Sequence, residues 1–590
     1  MRNLSGFSLA HFSLAFTGLL WTLPFLQPYH HFPMPMFRSE WLAFVLGLVA
    51  LVLLATKRAW HDETLPAVAL APLGLAALVL LQAALGRVPY AAQAFTATLY
   101  LVWAALLIML GAVLRRELGM ATVVSVMAWC VVIGGELSAA VGVLQYYNIS
   151  TLLDSLVMPR VSAAILGNLA QPNHYANYTA LALASVAYLF ASGRMRGAVA
   201  VAATALLLFA LGLSGSRSAW LYIAAALAFA LLLNRRHGGA QSRRLVVCAG
   251  LIVLGFAVDQ WLMAQPWFAP VADNVNSATA RLLAAEPGID IKVQHARTAW
   301  WAFMHAPFLG VGWGQFPWHE FEFKALYEDK HALGVVTHTH NLITQLLAET
   351  GLVGALVITG GALLWLWDLR RHSFDLERWW LLALLATLGM HSMLEYPLWH
   401  SYFLGVAAIA LGLGATRFCT FQLERLGPVA AALLLAAGFF TASTLWHSYQ
   451  DFQRMFVLGA KPLPGEEIAA IVLRGQQDSV LEPYVELAAS AYAKVDREQL
   501  QNKLELNGRV MRFMPTDIVV YRQALLLAMD GQAQAAQELF VRAMTVYPGT
   551  LPRITAMLRE LTARYPAEFS SLLELAAKKS AQKHAAGESQ

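Results

Sequence analysis

Charged residues are scarce in this chain, and that scarcity argues against a soluble protein. Asp, Glu, Lys and Arg make up 13% of the 590 residues, whereas soluble domains usually carry about a quarter. Apolar side chains account for 58% of the sequence, and the mean hydropathy is +0.54. Apolar runs of roughly 20 residues, the length that crosses a bilayer, recur along most of the chain. The composition therefore indicates an integral membrane protein.

Cysteine frameworks and basic tracts are missing as well. The three cysteines, Cys130, Cys248 and Cys419, indicate neither a disulfide framework nor a Cys-based metal site. No dense Lys/Arg tract with interleaved aromatic residues appears, so the net charge of +5 does not indicate nucleic-acid binding. His338 and His340 are two residues apart, but no third ligand has a fitting spacing. We therefore expect neither a metal nor another cofactor.

The apolar runs predict an all-α, polytopic fold with about thirteen transmembrane helices. They lie near 7–27, 41–56, 65–85, 91–113, 119–147, 174–192, 197–213, 216–233, 244–262, 341–367, 379–394, 400–415 and 427–446. Lysine and arginine concentrate in alternate short loops, which predicts that those loops and the N-terminus are cytoplasmic. The alternation has no break. The long segment before the tenth span and the segment after the last span should therefore both be periplasmic.

Four regions follow from this topology. They are nine transmembrane helices in 1–262, a long periplasmic loop in 263–340, four transmembrane helices in 341–446, and a soluble helical domain in 447–590. Within the last region, 515–548 predicts one helix pair like a tetratricopeptide (TPR) unit, with Gly531 at its turn. One such pair cannot bury its own apolar face, so neighbouring helices should complete a small TPR-like solenoid.

Five unusual polar stretches fall at the predicted outer membrane surface. They are "GNLAQPNHYANY" (167–178), "SGSRSAW" (214–220), "HARTAWWAF" (295–303), "THTHN" (337–341) and "HSMLEYPLWH" (391–400). Ionisable residues are costly within a bilayer, about 2.5–3.5 kcal/mol for an arginine at a helix centre. Because these stretches gather on one face only, they indicate a site that faces outward.

Taken singly, the residues of these stretches also fit structural roles. An arginine at a helix end can reach lipid phosphate, and a histidine can bond to backbone. Amides beside a proline can belong to a turn, and a tyrosine can anchor the chain at the interface. The residues concerned are Arg217, Arg297, His174, Gln171, Asn173 and Tyr396.

Taken together, the residue types suit glycosyl transfer from a lipid diphosphate. Two arginines offer planar, bidentate donors to a diphosphate. A histidine can accept the proton of an attacking hydroxyl near neutral pH. Asn and Gln side chains supply donors and acceptors for sugar hydroxyls. At the outer membrane surface, a polyprenyl chain would stay in the bilayer while its headgroup projected outward.

The same stretches resemble the bacterial PglL-type protein O-oligosaccharyltransferases, relatives of the O-antigen ligases and the Wzy-type polymerases. Besides the first two stretches, the resemblance is carried by "RTAWWAFMHAPFLGVGWGQF" (297–316), "THTHNLITQLLAETGLVG" (337–354) and "HSMLEYPLWHSYFLG" (391–405). It runs from about residue 160 to residue 410. The histidine–asparagine and glycine pattern is shared across the wider superfamily, whereas "LAQPNH" and "LEYPL" are typical of the protein-glycosylating branch.

This resemblance implies an integral-membrane glycosyltransferase of the C type (GT-C) that works without a metal. The donor would be an undecaprenyl-diphosphate-linked oligosaccharide held at the membrane. The acceptor would be a Ser or Thr hydroxyl of an exported protein, typically a pilin. The enzyme would lie in the bacterial inner membrane, with its active site facing the periplasm.

The resemblance also assigns expected roles residue by residue. His340 would be the essential catalytic histidine of the long loop. Arg217 and Arg297 would hold the diphosphate, and Gln171 and Tyr396 would orient the donor sugar or the diphosphate. The other candidate substrate-binding residues are His174, Asn168 and Asn173.

Two other functions remain open from the sequence. An O-antigen ligase, with lipid A-core sugar as its acceptor, would use the same donor residues, although simple ligases often lack a soluble tail. A transporter or flippase for lipid-linked sugars would place polar residues along a path through the membrane. Here the polar residues gather at one face, which favours the transferase.

Overall fold

The fold is a bundle of α-helices followed by a smaller helical domain. We analysed it in a computed structural model that describes residues 8–60, 65–161, 164–265, 288–327, 334–420, 425–456, 465–478 and 480–587. The predicted loop 263–340 is thus described at 263–265, 288–327 and 334–340. The all-α prediction is confirmed, because the strands in the described residues are only β1 (Leu65–Pro66) and β2 (Phe418–Cys419), paired antiparallel.

The helices of the N-terminal half form the larger part of the bundle. They are α1 Leu9–Leu20, α2 Leu23–Leu26, α3 Phe37–Ala50, α4 Leu70–Ala84, α5 Ala91–Leu118, α6 Met120–Tyr146, α7 Pro172–Ala191, α8 Gly197–Leu213, α9 Ser218–His237 and α10 Ala240–Met263. Helix α7 is buried along almost its whole length, so it stands near the middle of the bundle. The residues at its N-terminal end are thereby held in place by packing on every side.

The remaining helices complete the bundle and build the tail. The long loop contains α11 Gly288–His305 and α12 Phe316–Tyr327, and the bundle continues with α13 Leu342–Leu369, α14 Leu376–Ser392, α15 Ser401–Gly414 and α16 Leu426–Arg454. The tail contains α17 Gly465–Asp478, α18 Glu482–Tyr492, α19 Leu500–Phe513, α20 Asp517–Met529, α21 Ala533–Val546, α22 Leu551–Arg564 and α23 Pro566–Gly587.

Nine helical segments among the described residues are long and apolar enough to cross a membrane. They are Leu9–Leu26, Phe37–Ala55, Ala67–Ala84, Ala91–Leu118, Met120–Tyr146, Ser218–His237, Ala240–Met263, Leu342–Leu369 and Leu426–Arg454. Helices also occupy the four other predicted spans, but α8, α14 and α15 are shorter and α7 is more polar. The chain is an integral membrane protein, and the count of thirteen spans stays a prediction.

A segment of the long loop packs into a kink of α13. At Gly351 the backbone has φ 62° and ψ −163°, which interrupts the helical path. The free N–H of Leu352 donates instead to the carbonyl of Pro307 at 2.8 Å. This exchange ties residues 307–312 to the helix that follows the "THTHN" stretch.

Glu349 fixes the same segment from inside the bundle. Its carboxylate accepts the backbone N–H of Phe316 at 3.2 Å. Its carbonyl accepts the N–H of Gly312 at 3.1 Å and the side-chain amide of Gln82 at 2.7 Å. Glu349 lies two turns inside the apolar helix α13, where these bonds attach the loop segment to the helix. The contacts support a structural role for Glu349.

Replacing Gly351 with Ala is expected to destabilise the fold by about 2–6 kcal/mol. A side chain costs roughly 1–3 kcal/mol in this backbone region, which is essentially confined to glycine, and overpacking adds about 1–3 kcal/mol. The added Cβ would lie 2.5 Å from the backbone of Phe308. Gly360→Ala is the matched control, because this residue of the same helix has open space around it. The thermal unfolding midpoint in detergent should fall only for Gly351→Ala, and equal midpoints would contradict the packing described.

The long loop and the tail share one hydrophobic core. Trp318 and Phe321 of α12 are buried among Tyr521, Phe540 and Tyr547 of the tail. The rings of Phe321 and Tyr547 lie 6.3 Å apart and nearly parallel. Loop and tail therefore lie on the same side of the bundle, and their placement on the periplasmic side of the membrane stays a prediction.

The predicted helix pair in 515–548 is present as α20 and α21. Gly531 forms the turn with φ 81°, and Ala536, Phe540 and Ala543 are fully buried. Its assignment to the TPR-like class stays a prediction.

The tail is also attached to the bundle through polar bonds at the start of α5. The hydroxyl of Tyr90 donates to Glu486 of α18 at 2.7 Å. The guanidinium of Arg509 donates to the other oxygen of Glu486 at 2.5 Å. Glu486 is almost fully buried, and its carboxylate is paired with Arg509. The junction therefore contains no unpaired buried charge at this carboxylate.

Candidate active site

The predicted catalytic histidine is paired with a carboxylate. Nδ1 of His340, just before α13, lies 2.7 Å from Oε2 of Glu395, in the loop after α14. Burial would raise the pKa of Glu395, but the hydrogen bond and the charge of His340 outweigh it and hold that pKa below its ordinary value. An ionised carboxylate can only accept, so Nδ1 carries the proton and Nε2 of a neutral ring has the lone pair.

Glu395 connects this histidine to two further helix ends. Its Oε1 accepts the amide N–H of Asn173, in the first turn of α7, at 2.8 Å. The amide oxygen of Asn173 accepts the hydroxyl of Ser216 at 2.9 Å, and Ser216 lies 2.9 Å from the hydroxyl of Ser218 at the start of α9. Four of the five polar stretches thus meet in one hydrogen-bonded chain.

The two predicted arginines lie differently with respect to this chain. Arg217 is half-buried between Ser216 and Ser218, at the N-terminus of α9. Arg297 is exposed on α11. It lies two residues after the buried His295, and residues two apart face nearly opposite sides of a helix. The structure therefore brings Arg217 to the network and leaves Arg297 outside it, on the solvent side of α11.

Aromatic rings surround His340 on both sides. The ring of His295 stacks on it at 5.9 Å, and the ring of Tyr396 meets it edge-on at 5.2 Å. The ring of His338 stacks on that of Tyr396, with the centroids 4.3 Å apart. Burial, followed by nearby positive charge, lowers the pKa of His338 to about 3 and that of His295 to about 4. Both flanking imidazoles are therefore neutral near neutral pH.

The N-terminus of α7 holds two more predicted residues. The side-chain oxygen of Gln171 caps the helix by accepting the N–H of His174 at 2.6 Å. His174 is 3% exposed, and neither ring nitrogen has a hydrogen-bond partner among the described residues. Its ring lies 6.5 Å from Tyr396 and 5.1 Å from His400. Gln171 thus has a capping role, and His174 lies directly behind the aromatic rings.

Asn168 is engaged with the backbone rather than with the network around His340. Its amide N–H groups donate to the carbonyls of Leu26 and Leu156, both at 2.8 Å. Its amide oxygen accepts the N–H of Met158 at 2.9 Å. The side chain is 2% exposed. These bonds favour a structural role for Asn168, which was predicted to bind substrate.

A large cavity opens beside Tyr396. It has a volume of about 1140 Å³ and reaches down between the helices to apolar residues such as Leu75 and Leu382. Its polar end is formed by His338, Tyr396 and His400. No group of three or more His, Cys, Asp or Glu residues that could hold a metal occurs in the part of the chain that the structure describes. The arrangement offers a base, polar groups and an apolar channel.

Comparisons with known proteins agree with this picture. Residues 165–190 match the family model for a protein glycosylation ligase, and residues 202–359 match the model for O-antigen ligase. Residues 379–561 match the model for the C-terminal part of a virulence-factor membrane-bound polymerase. The matches extend well beyond residue 410, so the tail carries more of the similarity than the sequence motifs suggested.

Two Acinetobacter baylyi proteins are similar to the chain. A general O-oligosaccharyltransferase is 26% identical over 426 residues, which covers 69% of this chain and 71% of that protein. The chain is a relative of the PglL-type O-oligosaccharyltransferases. A ComP-specific O-oligosaccharyltransferase is 26% identical over 292 residues, covering 48% of this chain and 49% of that protein. The resemblance found in the motifs is confirmed, and the chain is a glycosyltransferase-type enzyme.

The carboxylate partner of His340 was not predicted from the sequence. Glu395 is not among the residues selected from the sequence, because it lies 55 positions from His340 and no local pattern shows their contact. Its position within "LEYPL" was the available signal, since that motif lies at the same predicted membrane face as the histidine. The stacking of His295 on His340 was likewise not predicted.

Proposed function

We propose that the protein transfers an oligosaccharide from an undecaprenyl-diphosphate carrier to Ser or Thr hydroxyls of exported proteins such as pilins. The reaction would take place at the periplasmic face of the inner membrane, in a GT-C-type enzyme. The observation that carries the proposal is the His340–Glu395 pair, set among polar helix ends beside a deep apolar cavity. Its relatives are named as O-oligosaccharyltransferases, which supports the same reaction class.

His340 is proposed as the general base for the acceptor hydroxyl. Its Nδ1 proton is committed to Glu395, so Nε2 is left to accept a proton. The side chain is 29% exposed, which leaves room for an incoming protein side chain. As the hydroxyl oxygen attacks the anomeric carbon, Nε2 takes its proton and the bond from that carbon to the diphosphate oxygen breaks.

The charge of the leaving diphosphate would be met by cationic and partly positive groups. Arg217 and Arg297 are the proposed guanidinium donors, and the exposed position of Arg297 suits a headgroup that approaches from outside. Helices α7, α9, α13 and α15 also begin near the network, at Pro172, Ser218, Leu342 and Ser401. Helix N-termini carry partial positive charge and favour anions.

The cavity beside Tyr396 suits the polyprenyl part of the donor. Apolar side chains from several bundle helices line its deeper part, while its polar end reaches Tyr396 and His338. A lipid chain in that channel would hold the diphosphate at the level of these two rings. Gln171, Asn173 and Tyr396 are then proposed to orient the donor sugar or diphosphate.

Arg217→Lys is expected to lower the rate of transfer by about 10-fold or more. Lysine keeps the positive charge but loses the planar fork that binds two phosphate oxygens, and hydrogen bonds to charged groups contribute roughly 1.5–3 kcal/mol. The measurement is the rate of transfer from a lipid-linked oligosaccharide. Arg235→Lys, at the far end of α9, is the matched control. Wild-type rates in Arg217→Lys would remove Arg217 from the proposed diphosphate site.

The transfer is expected to persist in excess chelator, because arginines and helix N-termini are proposed to stabilise the leaving group. The measurement is turnover with and without chelator in the purified system. Activity lost to the chelator and restored by Mg²⁺ or Mn²⁺ would contradict this proposal.

A purified reaction tests the function as a whole. The full-length protein in lipid is supplied with an undecaprenyl-diphosphate-linked oligosaccharide and with a candidate pilin, and the intact mass of the pilin is measured. A mass increase equal to the oligosaccharide, absent in His340→Ala, is the expected result. A parallel reaction contains lipid A-core in place of the pilin, and transfer there but not to the pilin would favour an O-antigen ligase. No transfer in either reaction, with the lipid-linked sugar moved across the lipid bilayer, would favour a transporter.

A further inference from the structure

A second histidine–carboxylate pair lies on the cavity side of Tyr396. Nδ1 of His400 is 2.7 Å from Oε1 of Glu40, the same separation as in the His340–Glu395 pair. The His400 ring lies 5.9 Å from Tyr396. The ring of Tyr396 therefore neighbours the histidine of each pair, and the proposed function uses only the pair with His340.

Glu40 is held as an acceptor by three separate donors. Besides the ring of His400, its carboxylate accepts the backbone N–H of Ser401 at 2.7 Å and the hydroxyl of Tyr100 at 3.0 Å. The hydrogen bond to this carboxylate orients the imidazole through Nδ1 and leaves Nε2 directed away from the carboxylate.

The second pair lines the large cavity beside Tyr396. Glu40, Tyr100 and His400 all line it, and no described residue donates to or accepts from Nε2 of His400. His340 is not part of the lining, although His338 and Tyr396 are. A lipid diphosphate whose chain fills the apolar part would thus meet His400, rather than His340, at the polar end.

We propose that His400, positioned by Glu40, is a further donor-side group: as an imidazolium it donates from Nδ1 to Glu40 and from Nε2 to the lipid diphosphate. This inference rests on the proposed function, because it needs a diphosphate at the polar end of the cavity. It divides the two imidazoles between the substrates: His340 serves the acceptor hydroxyl and His400 serves the diphosphate.

The chemistry balances with both imidazoles in these roles. The acceptor oxygen forms a bond to the anomeric carbon, and its proton passes to Nε2 of His340. The bond from that carbon to the diphosphate oxygen breaks, and the electron pair stays on the leaving oxygen. The N–H of His400 donates to the diphosphate throughout, without transferring its proton, so it adds no co-reactant to the reaction.

Because His400 is paired with Glu40, a double variant can distinguish a binding role of His400 from a purely structural one. If His400 is removed, the carboxylate of Glu40 remains at the polar end of the cavity and would repel an anionic donor. Removing the charge of Glu40 at the same time should relieve that repulsion. If His400 only held α3 against α15, the double variant would show no such recovery, because it lacks both side chains of the hydrogen bond between these helices.

The experiment measures equilibrium binding of undecaprenyl diphosphate to the full-length protein in lipid nanodiscs, together with the unfolding midpoint. His400→Ala is expected to weaken binding by about 10- to 100-fold, as for a lost hydrogen bond to a charged group. The double variant Glu40→Gln, His400→Ala is expected to recover part of that loss, because it removes the repulsion from Glu40 but does not restore the N–H donor. His447→Ala is the matched control, because His447 is an exposed histidine on α16, and it should bind as the wild type does.

Each other outcome overturns the inference. Unchanged affinity in His400→Ala, with the lipid-linked oligosaccharide still transferred, would remove His400 from the donor site and leave the proposed function intact. A double variant that binds no better than His400→Ala would assign the pair a structural role. Failure of the wild-type protein to bind undecaprenyl diphosphate would contradict the proposed function itself.

Discussion

Replacing His340 with Ala is expected to lower the single-turnover rate by about 10²- to 10⁴-fold, the usual effect of removing a general base. This range corresponds to roughly 3–5 kcal/mol in activation free energy. The reason is the fixed tautomer of the ring: Nδ1 donates to Glu395 at 2.7 Å, so Nε2 is its only basic nitrogen. The measurement uses a lipid-linked oligosaccharide and an acceptor protein in the purified system.

His447→Ala serves as the control for this prediction. The ring of His447 bonds to the carbonyl of Ser443 on the exposed face of α16, away from the network. This variant should transfer at the wild-type rate. A wild-type rate in His340→Ala would instead mean that another group at the same face acts as the base, and His174 or Tyr396 would be tested first.

Replacing Glu395 with Gln is expected to cause a loss of similar size, about 10²- to 10⁴-fold. The amide of Asn173 donates to Oε1 of Glu395, so the oxygen of the new amide would remain on that side. Its NH₂ group would then face His340 and make Nδ1 an acceptor. The ring proton would move to Nε2, which could no longer accept a proton. A carboxylate-to-amide change beside the catalytic histidine of a serine protease costs about 10⁴-fold in kcat for the same reason.

Two further variants separate this tautomer effect from a simple loss of charge. Glu395→Asp keeps an acceptor-only group and should retain more activity than Glu395→Gln. Glu377→Gln removes a carboxylate at the opposite end of α14, where it bonds to Tyr188, and should transfer normally. Equal rates for Glu395→Gln and the wild-type protein would show that the carboxylate does not set the state of His340.

The helices could be predicted from the sequence because a membrane-spanning helix is recognisable from its own run of apolar residues. The runs 91–113 and 119–147 correspond to α5 and α6, because the backbone of a chain crossing a bilayer must satisfy its hydrogen bonds within its own helix. The kink at Gly351 could not be predicted, because it depends on a loop segment about 40 residues earlier that packs against it. The core shared by the loop and the tail was missed for the same reason.

The candidate site was predicted in part, and the limit was again long-range contact. His340 and Tyr396 were selected by residue type and by their position at the outer face, and the structure places their rings 5.2 Å apart. The link from Asn173 to Glu395 joins residues 222 positions apart, so no local pattern shows it. Asn168 was selected for the same amide chemistry, but its bonds go to the backbone.

The central claim is that His340 acts on the acceptor and the two arginines bind the donor. Donor affinity tests this claim most directly. The affinity of the full-length protein for undecaprenyl diphosphate is measured in His340→Ala and in the double variant Arg217→Ala, Arg297→Ala. The account predicts nearly wild-type affinity in His340→Ala, and a loss of about 10-fold or more in the arginine variant. If His340→Ala abolished donor binding as fully as the loss of both arginines, His340 would be a donor ligand, and its role as the base for the acceptor would be contradicted.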